Sequence, residues 1–584
     1  MRPASPRVRG LALAAITVLV AMLMLPNFLW LAHSHAITTW ISALVMPVVL
    51  LSTLFALLGR WPWLACLALA PFALLAPLEA FYVATYDTPS SAQVMAVMLE
   101  TNVRVIHEFL GRLVPLAILA PLLGLSIALV AAWLCFRSGL RWRGRVREWT
   151  VAIVVAVPLL SMAVAFMTSA GSLQDRSRSA TFPVHTLVDA IRRGYPFGVI
   201  QRIATYRNEW TAMQADTRRF ATFSFHAHRA GPQPHRRQVY VLVIGESDTR
   251  SHWQMFGYAR PTNPELSKLA NVIPITRMVT PWSVTIASVP VMLTRKPITS
   301  PSPRWKEPSF LPAMQEAGYD TWWISNQYPI GMFDSPIAAY AYEARHVVWV
   351  NHSVYWNNPG AYDGALVPVL RKALQSSNQD MFIVLHMMGS HFQYDYRYPP
   401  AFARFKPVQS DAGSAVPLDE RIGNSYDNSI AYTDHVLAEV IHALQETDAI
   451  TALWFQSDHG DVLPSPTCDK QGHGIGTWHE FETPAFFWYS NAFAASFPRR
   501  LSILRDNAGK RALTANTFAS MLDLAGVDFP GLDHGWSLFS PEWRYHTRWV
   551  SQLWKADFDH SVLGKHCGVV IPAPDSSSPT PPIP

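Results

Sequence analysis

Three apolar runs in this chain end in residue types that bind metal ions. Val239–Gly245 is followed by Glu246, Met381–Met387 ends in the stretch His386-Met387-Met388-Gly389-Ser390-His391, and Ala452–Gln456 leads to Ser457-Asp458-His459-Gly460-Asp461. His473, in Gln471-Gly472-His473-Gly474, and His479, ahead of Pro484, come next. Carboxylate oxygens and imidazole nitrogens are donors of the kind zinc takes. A single His or Asp near a strand end is usually a cap or a surface residue. An Asp-His-Gly directly after a buried strand says more, and three such strand ends in one domain are hard to attribute to packing.

A metal at that edge would activate a nucleophile, and Val279–Pro290 offers hydroxyls, among them Ser283 and Thr285. A Thr or Ser hydroxyl is a poor nucleophile near neutral pH until a metal or a base lowers its pKa. The same stretch also reads as a helix start with Ser283 or Thr285 as N-cap. The two readings agree, because backbone N–H groups at a helix start would hold a transferred phosphate.

Ligands on separate strands need a scaffold that brings strand ends together. From Val239 strands and helices alternate, the pattern of an α/β domain with a mostly parallel sheet covered by helices. Strands are predicted at Val239–Gly245, Thr321–Ser325, Met381–Met387, Ala452–Gln456 and Ala485–Tyr489. Helices are predicted at Phe310–Ala317, Gly364–Leu374, Ser425–Leu444 and Ala515–Ala525, the last closed by Gly526 as C-cap. Open sheets of this kind bind ligands outside the C-terminal ends of their strands. The domain is expected over 239–571, with a disordered Pro- and Ser-rich tail at 572–584. Residues 171–238 read as a bridging segment with helical periodicity around Pro183–Tyr206. Its end, His226–His235, holds three histidines among Pro and Gly and reads as a solvated linker rather than a metal site.

The 584-residue chain is half hydrophobic and only 15% charged, and the deficit of charge lies at the N-terminus. Apolar runs at about Leu11–Ala32, Ile37–Leu58, Trp61–Ala84, Leu113–Phe136 and Thr150–Ser169 are each long enough to cross ~30 Å of hydrocarbon as a helix. Residues 1–170 are therefore expected to be a five-helix transmembrane domain. Arg2, Arg7 and Arg9 before the first run would suit a signal peptide, but four runs follow and no small-residue cleavage site ends it. The N-terminal arginines and Arg137, Arg141, Arg143, Arg145 and Arg147 put those loops in the cytoplasm by the positive-inside rule. Five crossings then leave everything beyond about residue 170 outside. The net charge of +6 owes much to these anchors. No basic face interleaved with aromatics occurs in the globular part, so no nucleic-acid partner is expected. Cys66 and Cys135 fall in predicted spans, where they act as small hydrophobes. Cys468 and Cys567 fall in the external domain, where an oxidising compartment would allow them to pair.

Together these residues resemble the phosphoethanolamine transferases of Gram-negative envelopes, members of the alkaline phosphatase and sulfatase superfamily. The matching stretches are Gly245-Glu246-Ser247 through Gly257–Pro264, Thr285-Ile286, Met388–His391, Tyr394–Pro399, Tyr426-Asp427-Asn428, Asp458-His459-Gly460 and Gln471–Gly474. Five spans before an external catalytic domain also look like that family, and Phe392–Pro399 looks closest to the branch that decorates the lipopolysaccharide core. The resemblance implies a sulfatase-like fold, a zinc ion held by Glu246, Thr285, Asp458 and His459, and Thr285 as the residue that becomes phosphoethanolamine-modified. It implies that His391 and His473 bind phosphate or a second metal, with His479 able to exchange roles with His473. Trp282-Ser283-Val284, Ala287 and Asp248 depart from the family pattern, which leaves the role of Ser283 open.

The implied reaction moves the headgroup of phosphatidylethanolamine to lipopolysaccharide, on lipid A or core, at the periplasmic face of the cell inner membrane. A glycerophosphate transferase, or a sulfatase or phosphodiesterase that transfers to water, would share the fold. Ser288-Val289-Pro290-Val291-Met292 lacks the arginine that the usual sulfatase setting needs. The non-enzyme alternative is a membrane-anchored sensor, against which the joint presence of Glu246, Thr285, Asp458 and His459 weighs.

Overall fold

The computed structural model describes residues 5–33, 37–86, 89–90, 114–154, 156, 190–220, 222–300, 302, 304–329, 335–351, 360–411, 413–551 and 555–573. It divides into two compact units, Met1–Asn208 and Glu209–Pro584.

In the first unit three helices are long and apolar enough to cross a membrane: Pro6–Ala32, Pro62–Ala84 and Pro115–Ser138. The second predicted run forms a shorter apolar helix, Ile41–Leu57, that opens with a π turn at Ile41–Val45. At 17 residues it sits at the lower limit for a span. The fifth run is helical up to Val154, and most of it lies outside the described residues. Gly124 allows the second and third long helices to touch, since a Cβ there would sit 2.1 Å from the Ala73 carbonyl oxygen. Small residues at such contacts let helix backbones approach closely where lipid offers no hydrophobic drive.

The second unit is built on a seven-stranded sheet. In chain order its strands are β1 (Gln238–Gly245), β2 (Val272–Pro274), β3 (Asp320–Ser325), β4 (His346–Trp349), β5 (Met381–His386), β6 (Ile450–Ser457) and β7 (Ala485–Tyr489). Across the sheet they run β2-β7-β6-β1-β5-β3-β4. All neighbours are parallel except β7, which is antiparallel to both β6 and β2. Every predicted strand is present within two residues of its expected ends, and β2 and β4 are added at the edges. Those two are short and only partly buried, so neither shows as an apolar run.

The central strand β1 is buried throughout. Tyr240, Leu242 and Ile244 enter one core and Val239, Val241 and Val243 the other, as a two-residue side-chain period dictates. The first core is covered by the helices Thr285–Leu293, Leu311–Glu316 and Thr517–Ala525, and the second by Leu366–Ser376 and Leu418–Gln445. The Leu418–Gln445 helix starts seven residues before the predicted Ser425. Its polar first turns carry no apolar stripe, but Asp419 and Glu420 suit the positive end of the helix dipole. Gly526 closes the Thr517–Ala525 helix in the left-handed conformation with φ 65°, as predicted.

Register decides where the strand ends meet. Ile244 pairs with His386 on one side and Gln456 on the other, and Gly245 pairs with Ser457. The residues that follow β1, β5 and β6 therefore emerge at one level of one sheet edge. The end of the bridging segment is less solvated than expected. His228–Arg229 pairs with Val527–Asp528, and Phe225 is buried in the first core. Cys468 and Cys567 form a disulfide across 99 residues of chain, while Cys66 and Cys135 are free and buried.

Candidate active site and metal centre

Glu246, Asp458 and His459 follow the ends of β1 and β6, and their ligand atoms lie within 4.8 Å of one another. All three are buried. The Nδ1 of His459 is 3.0 Å from the Gly460 carbonyl, which can only accept. Nδ1 therefore carries the proton, and Nε2 offers its lone pair to the cluster. That Nε2 is 3.4 Å from Glu246 Oε1 and 3.5 Å from Asp458 Oδ2.

Thr285 is the first residue of its helix, with Val284 in the N-cap position and no side-chain cap. The expected Ser283 or Thr285 cap is thus not made, because the Thr285 side chain turns toward the carboxylates instead. Its Oγ1 lies 3.0 Å from Glu246 Oε2 and 3.1 Å from His459 Nε2. Ser283 is buried. Ser247 adopts φ 60° and ties the cluster together. Its hydroxyl donates to Glu246 Oε1 at 2.7 Å, its N–H to Asp458 Oδ1 at 3.2 Å, and its carbonyl accepts from Tyr426 at 2.6 Å. A non-glycine residue in this conformation marks a place where the surroundings impose the backbone.

The electrostatics of this cluster suit a cation. Burial, with the neighbouring Asp458 charge, holds the Glu246 carboxyl well above its usual range. Burial also raises Asp458 and holds His459 well below an ordinary imidazole. Asp458 Oδ1 accepts the N–H groups of Ser247 and His459, but Oδ2 is buried without a hydrogen-bond partner among the described residues. Two buried carboxylates, one of them with an orphaned oxygen, facing a neutral imidazole and a hydroxyl form a donor set that a divalent cation would satisfy. The residues present fit such an ion.

A cavity of 390 Å³ opens beside Thr285 and is also lined by Glu246, His386, His391 and His473. His391 Nδ1 donates to the Phe392 carbonyl at 2.7 Å, which leaves Nε2 for a ligand. The His473 ring lies 4.3 Å from His459 and 5.9 Å from His391, centroid to centroid. Its Nδ1 contacts Asp461 Oδ1 at 3.0 Å. Burial works against charge on His473, but the hydrogen bond and charge of Asp461 outweigh it and hold its pKa above the ordinary value. His459, Asp461 and His473 make a second group with metal-ligand spacing. His479 is placed elsewhere: its ring packs against Trp478 at 3.8 Å between centroids, tilted by 31°, and its Nδ1 is 3.3 Å from Ser251 Oγ. Of the two histidines that the sequence left interchangeable, the structure brings His473 to the cavity.

The site has further contributors, one within a strand end already singled out and two that no motif marks. His386 ends β5, lines the cavity, and has a buried Nε2 without a hydrogen-bond partner among the described residues. Its position directly at a strand end was the available signal. Gln327, two residues after β3, donates from Nε2 to Glu246 Oε2 at 3.3 Å and to the Met387 carbonyl at 2.8 Å. Asp363 accepts the N–H groups of Met388 and Gly389, each at 2.8 Å, and so fixes the loop that presents His391. Neither residue carries a local pattern that marks it.

Residues 238–527 match the profile described as Sulfatase. The chain is 26% identical over 502 residues to phosphoethanolamine transferase EptC of Escherichia coli O18:K1:H7 (strain RS218 / NMEC), covering 83% of this chain and 85% of the relative. It is 25% identical over 508 residues to phosphoethanolamine transferase CptA of Salmonella typhimurium strain LT2, with the same coverage of 83% and 85%. Among solved structures, the zinc complex of the C-terminal periplasmic domain of EcEptC from Escherichia coli is similar, with 26% identity and a TM-score of 0.50. That likeness covers 56% of this chain and 93% of the solved domain. The chain therefore carries a sulfatase-family domain over residues 238–527 and is a relative of the phosphoethanolamine transferases.

Proposed function

We propose that this protein is a zinc-dependent phosphoethanolamine transferase of the cell inner membrane, which moves the headgroup of phosphatidylethanolamine through Thr285 to lipopolysaccharide, on lipid A or core. The carrying observation is the Thr285 hydroxyl at a helix start, 3.0 Å from Glu246 and 3.1 Å from His459, opening on a cavity lined by His391 and His473. The names of the relatives support the same reaction class.

Glu246, Thr285, Asp458 and His459 would hold zinc, and the related EcEptC domain was solved with Zn. A bound zinc ion would lower the pKa of the hydroxyl and stabilise charge on phosphoryl oxygens. In the first half-reaction Thr285 Oγ1 gives its proton to Glu246 Oε2, 3.0 Å away, and forms a bond to phosphorus, and the bond from phosphorus to the glycerol oxygen breaks. His473, held toward its charged form by Asp461, gives its proton to that oxygen, and diacylglycerol leaves. His391 Nε2 faces the same space and holds a phosphoryl oxygen. In the second half-reaction an acceptor hydroxyl or phosphate displaces Thr285, any proton the acceptor carries goes to His473, and Glu246 returns its proton to Thr285 Oγ1. Val284, Ile286, Ile337 and Ala338 form an apolar wall suited to the lipid side of the donor.

A five-span topology with the N-terminus in the cytoplasm puts this cavity in the periplasm, beside the head groups of the donor. The Cys468–Cys567 disulfide accords with an oxidising compartment. Mass spectrometry of lipopolysaccharide from cells with and without the chain tests the reading. An added phosphoethanolamine is expected, and its place on lipid A or core identifies the acceptor. An added glycerophosphate, or free phosphoethanolamine with unchanged lipopolysaccharide, would overturn it. Purified protein is expected to contain zinc.

A further inference from the structure

The second unit also holds a cavity larger than the one beside Thr285. A cavity of 530 Å³ opens at the other end of the same helix, where Thr294–Thr299 form one wall and Trp536, His546, Trp549 and Lys555 another. The helix between them has nine residues, which sets the two cavities about 13 Å apart along it. Trp282, three residues before Thr285, donates from Nε1 to the Ile298 carbonyl at 2.9 Å, tying this rim to the segment that presents Thr285.

The cavity has an excess of positive charge. Arg295 is matched by Glu307 at 2.9 Å, and Asp533 by Arg544 at 2.6 Å. Lys296 and Lys555 have no carboxylate partner among the described residues. Lys296 is only 3% exposed, and its ammonium donates to the Ser300 carbonyl at 2.6 Å. Burial pushes its pKa down to about 8. A buried ammonium without a counter-ion is costly, and an anion entering the cavity would offset that cost. Lys555 is exposed and sits 3.9 Å from the Trp549 ring centroid. The Trp536 and His546 rings stack at 3.5 Å with an angle of 11°. Flat aromatic faces beside unmatched cations suit a ligand with a C–H face and an anionic substituent.

We propose that this cavity is a binding subsite for a phosphorylated sugar, whose phosphate meets Lys296 and Lys555 and whose ring lies against Trp536 and Trp549. That the sugar belongs to the acceptor rests on the transferase reading; the subsite itself does not. On that reading a phosphorylated oligosaccharide is held at one end of the helix while the group to be modified reaches Thr285 at the other.

Hydrogen–deuterium exchange on the full chain in detergent, with glucose 1-phosphate and with glucose as probes, tests the subsite. Glucose 1-phosphate is expected to protect the backbone of Thr294–Thr299 and His546–Ser551, and glucose to protect it far less. Lys555→Glu, on an exposed side chain, and Trp549→Ala should each raise the concentration needed by roughly tenfold or more, whereas Lys555→Arg should restore binding. Protection confined to segments around Thr285, His391 and His473, or equal protection by glucose, would overturn the proposal. So would unchanged protection in Lys555→Glu. Release of diacylglycerol from phosphatidylethanolamine by the unmodified chain is measured separately. Its absence would remove the transferase reading, while the exchange result would still decide the subsite.

Discussion

Thr285 shares its hydroxyl between Glu246 and His459, at 3.0 and 3.1 Å, and that geometry makes it the side chain whose loss should matter most. Thr285→Ala is expected to lower transfer by about 10³-fold or more and to abolish phosphoethanolamine-labelled protein, read by mass spectrometry of the intact chain. Asp458→Asn should lower zinc content, because it removes the charge that the orphaned Oδ2 presents to the ion. Metal analysis of the purified variant checks this. Asp434 lies far from that chemistry and gives a stability prediction instead. Burial pushes its carboxyl up to about 7, even though Oδ2 and Oδ1 accept the N–H groups of Glu265 and Leu266. The folded chain therefore holds a proton that the unfolded chain releases between about pH 4 and pH 7, so this group's contribution to stability falls as pH rises through that window. The thermal midpoint of wild type relative to Asp434→Asn should fall over the same range.

At the scale of elements, the site depends on two loops that only glycine can close. Gly389 has φ 50°, and a Cβ there would lie 2.5 Å from the Glu246 carbonyl oxygen. Gly460 has no room either, with a Cβ position 2.3 Å from the His479 carbonyl oxygen. Gly389→Ala should cost about 1–3 kcal/mol of stability and weaken zinc binding, because the strained loop would push Glu246 out of place. A thermal melt with and without added zinc checks both effects. Much at this scale was legible beforehand. The five long strands are each built around an apolar run, and Gly526 marked a helix end that the backbone makes with φ 65°. Edge strands β2 and β4 were not, since three or four half-buried residues carry no period. Helix starts were misread at Thr285 and Leu418, because both begin with residues selected for charge or chemistry rather than for an apolar stripe.

At the scale of the whole molecule, a disulfide closes a segment of 99 residues that contains His473 and the helices after β7. Closing a loop of about 100 residues restricts the unfolded chain by several kcal/mol in the chain-entropy model. Cys567→Ser is therefore expected to lose about 2–5 kcal/mol, seen as a lower thermal midpoint, and reducing agent should lower the wild-type midpoint while leaving that of the variant unchanged. The order of apolar helices before an alternating domain was plain in the sequence, because hydrophobic length and period are properties of consecutive residues. So were the residue types of the site, since Glu246, His391 and Asp458-His459 all follow strands that announce themselves. Which histidine completes the cavity, where Gln327 and Asp363 act, and that Lys296 has no carboxylate partner among the described residues were decided only by tertiary structure. These depend on the parallel register that sets Ile244 beside His386 and Gln456, and on backbone far apart in the chain, which no local pattern records.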